Sequence, residues 1–496
     1  MKRFSYLFSA LMVLSLLLAA CGGTPASEPT DGTGATAPAA GETAPPAAEA
    51  TEPAAAEATQ PPAAEETQPA DGATGEGVVV QFWSTDNEED RLRVYEDVAQ
   101  RFMDQNPGVT VQIVPVDEAE TAQRLAAAQA ANQLPAIIRV GIERLPPLAA
   151  AGILDEEAAT AVIESIGVDE FREGPLRMVT NVGTGGYTGV PFDGWLQAIW
   201  YRTDLFDSLG LEPPLDWDSI NAACDQLVEA EELDYSVVIG TDPGQNYGHQ
   251  LFEQVALSNN AWPLDEQGNV TFNTPEMIEA LQFYTDLARC SAPGPQYWQG
   301  ARSSYELGQS GMMFYSTYIM DDLVEGSEVE EGGPLIEIAV EDLPQKTGFA
   351  PTMQGPAGEA TYGQLVALAI MQGAPAEAQD VVEFFLTEGY IEILELAPFG
   401  KVPVTNSAAE EWKTLSPFFA EYEEETLDQI LNGYDAMQRW LFRPEYTERE
   451  QAIVGEIENR LLIPQAISNI VLEGNMTPES AAEWLQEQVE QIASEM

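Results

Sequence analysis

From Gly189 to Cys224 the chain reads GVPFDGWLQAIWYRTDLFDSLGLEPPLDWDSINAAC. Trp195 to Tyr201 is too apolar for a surface loop and reads as a strand, entered through a Gly-rich turn that Val190-Pro191 closes. A short helix starts near Thr203, and Gly210 sits where a glycine ends a helix in the left-handed conformation. Asp216 or Asp218 then caps a further helix that carries Cys224. A strand, a stopped helix and a capped helix in this order demand a layered α/β architecture.

The same alternation opens the ordered part of the chain. Val78 to Trp83 is an apolar strand, and Asp86 or Asn87 can cap a helix with Leu92, Tyr95, Val98, Ala99 and Phe102 on one face. Val109, Val111 and Ile113 form a second strand, Ala119 to Asn132 a second helix, and Ala136 to Val140 a third strand. Alternation of this kind implies a mostly parallel sheet with ligands at the carboxyl ends of its strands. Trp83-Ser84-Thr85 and Gly141-Ile142-Glu143-Arg144 lie at such ends.

The first 77 residues cannot join that core. Lys2-Arg3, the apolar Phe4 to Ala20 and the sequence Leu18-Ala19-Ala20-Cys21 read as a signal peptide with a bacterial lipobox, Cys21 being the lipidated residue. From Gly22 to Gly77 the composition is almost wholly Ala, Pro, Glu, Thr and Gly, which offers nothing to bury and reads as a disordered tether with a reach of roughly 40 Å. Asp and Glu number 82 against 20 Lys and Arg, a formal net charge of −62. A chain this acidic repels nucleic acid and anionic lipid surfaces. The acidity is not confined to the tether, because Val78 onward still holds 72 acidic and 18 basic residues.

Catalytic chemistry is poorly supplied. There is one histidine, His249, no G-x-S-x-G elbow, no P-loop after Gly183-Thr184-Gly185-Gly186, and too few His and Cys for a zinc site. No cofactor or metal is expected. Carboxylates are numerous enough that a pair with glycosidase spacing could arise by chance, so a surface-anchored glycoside hydrolase stays open. Aromatic residues do fall at strand ends and loops: Trp83, Trp195, Tyr247, Trp298, Tyr318, Tyr362 and Trp440. Aromatic faces match the C–H faces of sugars, and Thr85, Asp86, Glu143, Arg144, Asp193, Gln364 and Arg443 could bond the hydroxyls. Each aromatic could equally pack in a core, and Trp200 and Trp217 are assigned there. A polyamine or other cation is a further ligand class that the acidity and aromatics allow.

Gly189-Val190-Pro191, Ile199 to Tyr201, Asp204-Leu205-Phe206 and Pro214-Leu215-Asp216-Trp217-Asp218 together resemble family 1 of the extracellular solute-binding proteins, the maltose-binding-like group. Arg202 and Trp200 depart from its usual pattern. Ala151-Gly152-Ile153-Leu154, the strand Gly308 to Phe314 followed by Tyr318, and Gly400-Lys401-Val402-Pro403 are also similar to family features. The resemblance implies a two-lobed periplasmic-binding-protein-like fold (type II) with an interlobe ligand cleft. Residues 78–180 and 364–400 would form one lobe, and 181–363 and 401–496 the other, with the first crossing near Gly174 to Tyr187. It further implies a lipid-anchored, monomeric binding protein of an ABC importer, which takes a carbohydrate to a membrane permease without bond chemistry. Trp83, Glu143, Arg144, Trp195, Tyr318 and Trp440 are expected to line one cleft. In an oxidising compartment Cys224 and Cys290, on helices of one lobe, are expected to pair.

Overall fold

The computed structural model describes residues 77–118, 120–228, 233–326, 338–443 and 445–496. The signal peptide, Cys21 and the tether lie outside the described residues. Ten strands are present among those described: β1 (Val78–Ser84), β2 (Val109–Pro115), β3 (Ile137–Gly141), β4 (Val190–Arg202), β5 (Tyr235–Val238), β6 (Ser310–Ser316), β7 (Thr347–Ala350), β8 (Thr352–Gln354), β9 (Glu359–Thr361) and β10 (Gly363–Ile370). Eight of them share a sheet in the order β2-β1-β3-β10-β4-β6-β5, with β7 on β4, while β8 and β9 form a separate hairpin.

β1 pairs in parallel with β2 and β3, whose Ile137, Ile138 and Val140 are buried between helical layers. Runs that are apolar on both faces are what a covered parallel sheet requires. The thirteen-residue β4 then serves two neighbours in turn. Val190 to Leu196 pairs antiparallel with β10, and Gln197 to Tyr201 antiparallel with β6. At about 3.3 Å per residue the strand spans roughly 40 Å, enough to carry the chain from one half of the sheet to the other. The passage therefore lies inside the regular strand and not in the Gly-rich segment before it. Val190 and Pro191, expected to end a turn, are its first two residues.

Local signals account for most helix ends. Asp216 caps Trp217–Leu227 through Ser219, which bonds back in a capping box, and Gly210, at φ 67°, closes Thr203–Leu209. Thr274 and Thr477 cap Pro275–Asp286 and Pro478–Glu495. The helix Glu89–Gln105 begins after Glu88 with no side-chain cap. Asp86 is absent from that role because its carboxylate is engaged elsewhere. The second helix begins at Thr121, and the helix Pro275–Asp286 gives way to the 3₁₀ turn Leu287–Cys290. Glu448–Asn459 lies across the turn after β3, where a Cβ on Gly455 would stand 2.6 Å from the Glu143 carbonyl oxygen. Only glycine lets the two backbones come that close.

Trp217 and Phe283 stack with centroids 4.1 Å apart, and the Trp217 indole donates to Ser258 Oγ at 3.0 Å. Beside them Cys224 and Cys290 are joined as a disulfide with Cα atoms 5.7 Å apart, closing a loop of 66 residues. By the chain-entropy relation such a loop is worth on the order of 4 kcal/mol. Cys290→Ser should therefore lower the urea midpoint of protein folded under oxidising conditions, whereas equal midpoints for wild type with and without reductant would show that the bond contributes nothing.

Candidate ligand-binding site

Strand polarity places the site. β4 runs parallel to β3, because both are antiparallel to β10 between them, so β1, β2 and β3 end towards the half that holds β5 and β6. β6 is antiparallel to β4 and β5 is parallel to β6, so these two end towards the first half. Carboxyl ends therefore face each other across the middle of β4, where β10 begins opposite Leu196 and β6 ends opposite Gln197. Loops at these ends are free to carry side chains that converge on a ligand.

Two buried ion clusters occupy this middle zone. In the first, Arg139 from β3 forks onto Asp193 of β4 at 2.8 and 3.1 Å and lies 3.4 Å from Asp86. Lys401, wholly buried, reaches Asp86 at 2.6 Å and Asp193 at 3.3 Å, and Arg91 bonds Asp86 at 3.0 Å. The Tyr95 hydroxyl also donates to Asp86, at 2.9 Å, while Thr85 accepts from Arg139 at 2.9 Å. Burial by itself would raise the Asp86 carboxyl; Arg139, Lys401 and Arg91 outweigh it and hold it well below the usual carboxylate range. Burial pushes the Lys401 ammonium down, with Asp193 and Asp86 opposing it. Thr85, Asp86 and Asp193, expected to touch ligand, are thus engaged by the chain's own cations. Tyr318, which follows β6, is half-buried with its ring seated on Gly400, where an added Cβ would fall 2.1 Å from a ring carbon.

The second cluster centres on Arg439. Its Nε donates to Glu253 at 3.0 Å and its Nη2 to Glu458 at 2.8 Å; a third bond goes to Gln364 Oε1, and the Tyr362 ring lies 4.7 Å beneath. Gln364 in turn donates to Glu143 at 2.8 Å. His249 Nε2 stands 3.0 Å from Glu253 and 3.8 Å from Glu458. His249, Glu253 and Glu458 have the donor types and the mutual reach, 4.8 Å, of a metal site. The guanidinium of Arg439 already supplies a cation to both carboxylates, so the chain fills that place itself. Burial and then the charge of Glu458 push the Glu143 carboxyl up, against the pull of Arg144 and Arg439.

Other expected residues are placed differently. Trp440 is buried with His249, Phe252 and Phe272 around it and donates to the Ala261 carbonyl at 3.0 Å. Tyr247 is buried and bonds the Phe314 carbonyl at 2.5 Å; Arg443 stacks over Trp262 and donates to Leu264. These three serve packing. Half-buried surface remains at Trp195, which lies 6.0 Å from the Tyr362 ring, and at Arg144, which donates to the Glu118 carbonyl at 3.4 Å. Trp83 keeps slight exposure and carries Arg124 5.3 Å over its ring. A further aromatic pair was not brought together by the sequence. Trp298 lies 6.3 Å from Tyr315 with Arg302 over it at 4.9 Å, and burial pushes neighbouring Tyr297 up to about 12, helped by Glu118 and Asp117 of the opposite half.

The model of the family described as bacterial extracellular solute-binding protein matches residues 85–392. This chain belongs to that family. Its fold is shared with solved structures of low identity: maltose-bound MalE3 of T. maritima, at 21% identity and TM-score 0.65, covers 84% of this chain and 100% of that one. A solute-binding protein of Thermotoga lettingae bound with α-D-tagatose, at 18% identity and TM-score 0.66, covers 84% and 99%. Among curated relatives YcjN of Escherichia coli (strain K12), named for a periplasmic-binding role in ABC transport, is 29% identical over 336 residues, 66% of this chain and 74% of its own. An arabinooligosaccharide-binding protein of Halalkalibacterium halodurans is 25% identical over 212 residues, 42% and 45% of the two chains. This solute-binding protein is therefore a transporter component that works outside the cytoplasm and not an enzyme. The two-lobed α/β architecture expected from the sequence is the family's.

Removing one partner of a buried ion pair costs about 3–5 kcal/mol. Lys401→Met should lose that much in urea unfolding, and adding Asp86→Asn should recover part of it. Glu143 gives a signed pH test. Its folded value lies above the ordinary 4.5, so its contribution is complete below that pH and lost as pH rises through the folded value. The stability of wild type relative to Glu143→Gln should fall as pH rises above 4.5; a rise would contradict the assignment.

Proposed function

We propose that this protein is the lipid-anchored capture component of an ABC importer, binding a carbohydrate between two lobes and delivering it to a membrane permease. One observation supports the reading: strand ends from both halves of the sheet meet at the middle of the shared β4, and Trp83, Trp195, Tyr318 and Trp298 with Arg144 and Glu118 are the groups we assign to the ligand there. Flat apolar rings interleaved with charged hydrogen-bonding groups match the two faces of a sugar. The names of several relatives and neighbours agree, among them the arabinooligosaccharide-binding protein and the tagatose-bound structure. Residues 78–180 with 364–400, and 181–363 with 401–496, are the proposed lobes. The anchor is Cys21, which follows Leu18-Ala19-Ala20, and the mature protein is proposed to act as a monomer. Among the described residues no helix is long and apolar enough to cross a membrane.

In this scheme binding energy closes the lobes, and the ligand leaves unchanged. Titration calorimetry of the mature protein against a panel of mono- and oligosaccharides, with the mixture then checked for products, tests it. A saturable heat with one sugar, no product, and a loss of about tenfold or more in affinity for Trp298→Ala or Tyr318→Ala are expected, tenfold being about 1.4 kcal/mol. Absence of binding across the panel would refute the carbohydrate assignment.

A further inference from the structure

The two halves of the sheet share β4, and a second contact between them lies beside it. On the side of β6, Thr317 is fixed to β4, its amide donating to the Leu196 carbonyl at 2.9 Å. The chain then turns through Tyr318 into the short helix Ile319–Glu325, whose Ile319 and Met320 are buried. Asp322 of that helix accepts from Arg302 of the helix Trp298–Glu306 at 3.4 Å. The segment from Tyr318 to Asp322 is thus anchored to the half that holds β5 and β6. On the other side, Phe399 and Gly400 follow the helix Tyr390–Leu394. Glu392 of this helix bonds Arg101 of Glu89–Gln105, and Gly389 lies against Val98. The Lys401 amide donates to the Ala397 carbonyl at 2.8 Å and its ammonium ends on Asp86. Phe399 and Gly400 are thus anchored to the half that holds β1 to β3.

The two segments meet directly. Oδ2 of Asp321 accepts from two successive main-chain amides, Phe399 and Gly400, each at 3.3 Å. Beside it the Tyr318 ring lies flat enough on Gly400 that a Cβ there would stand 2.1, 2.2 and 2.5 Å from three of its carbons. A carboxylate facing consecutive N–H groups makes charge-assisted bonds. These are long ones, however, and beyond roughly 3.6 Å no bond remains. A displacement of one half by a few tenths of an ångström therefore releases them. A contact of this kind can be made and broken, whereas the buried ion cluster under it cannot be opened without leaving charges unpaired.

Resting on the lobe division proposed above, we propose that Asp321 is a positioning residue, the catch of a clasp between the lobes. Closure brings its carboxylate onto the Phe399 and Gly400 amides and seats Tyr318 on Gly400. The catch favours the closed arrangement without touching the ligand. A ligand held only by the closed form binds in proportion to the closed fraction, so loss of the catch weakens binding through that fraction and shows as faster dissociation.

Small-angle X-ray scattering of the mature, ligand-free protein tests this, the tether being the same in every variant. Asp321→Ala removes both acceptor oxygens, and Gly400→Ala puts a methyl group where the Tyr318 ring lies. Each should raise the radius of gyration above wild type while a cooperative urea transition is retained. Asp321→Asn keeps the volume and one acceptor oxygen; it should fall between, and it gives the reading should Asp321→Ala not fold. Calorimetry and stopped-flow with glucose, galactose, xylose, cellobiose and sucrose as probes add the functional arm. For a sugar that wild type binds, Asp321→Ala should lose about tenfold in affinity, about 1.4 kcal/mol, with the loss in the dissociation rate. Radii of Asp321→Asn and Gly400→Ala equal to wild type would overturn the clasp. A larger radius with unchanged affinity would overturn its part in holding the ligand. Binding of none of these sugars would count against the carbohydrate reading and leave the clasp to be decided by the radii alone.

Discussion

The buried bridge from Lys401 and Arg139 to Asp86 and Asp193 fixes the relation between the elements that build the site. Asp86 follows β1, Arg139 lies in β3, Asp193 in β4, and Lys401 in the segment whose Val402 amide donates to the Gly194 carbonyl at 2.7 Å. Four stretches far apart in sequence are thereby tied at one depth. A charge at any of these positions would be costly alone, since desolvation of a single ion amounts to several kcal/mol. Together they cost less, and only in one arrangement. The same constraint explains why Asp86 caps no helix.

β4 is the mechanical counterpart of that bridge. A strand long enough to pair with β10 in its first half and β6 in its second makes the two halves share a backbone, so their strand ends must face each other. Conformational change in a solute-binding protein needs elements that bend while their contacts hold. Here β4 runs alongside the Gly400 to Pro403 segment, and Tyr318 rests on Gly400. A substitution at Gly400 would therefore be felt at the Tyr318 ring and at the ion cluster together.

Acidity has two distinct consequences in this molecule. On the surface the many Asp and Glu side chains are solvated and repel polyanions. Inside, Glu253 and Glu458 bond Arg439 while Glu143 is reached through Gln364, and burial with the charge of Glu458 pushes Glu143 up against the pull of Arg144 and Arg439. In the first ion cluster Arg91, Arg139 and Lys401 face Asp86, Asp193 and Glu88.

The sequence by itself determined the element types and many of their ends. Apolar runs such as Val78 to Trp83, the Asp216 and Thr477 caps, the Gly210 stop and the cysteines on neighbouring helices are all local signals, governed by periodicity, capping and backbone freedom. It also carried the family resemblance. It did not determine which charged residues meet. Arg139 stood out only as a cation inside the apolar strand Ile137–Gly141, Lys401 as one letter of a Gly-Lys-Val-Pro turn, and Arg439 not at all. Trp440 and Tyr247, at loop and helix starts in the sequence, could have faced a ligand. Tertiary structure decided otherwise, because burial and ion pairing depend on which distant segments arrive at the same place, and no local pattern encodes that distance.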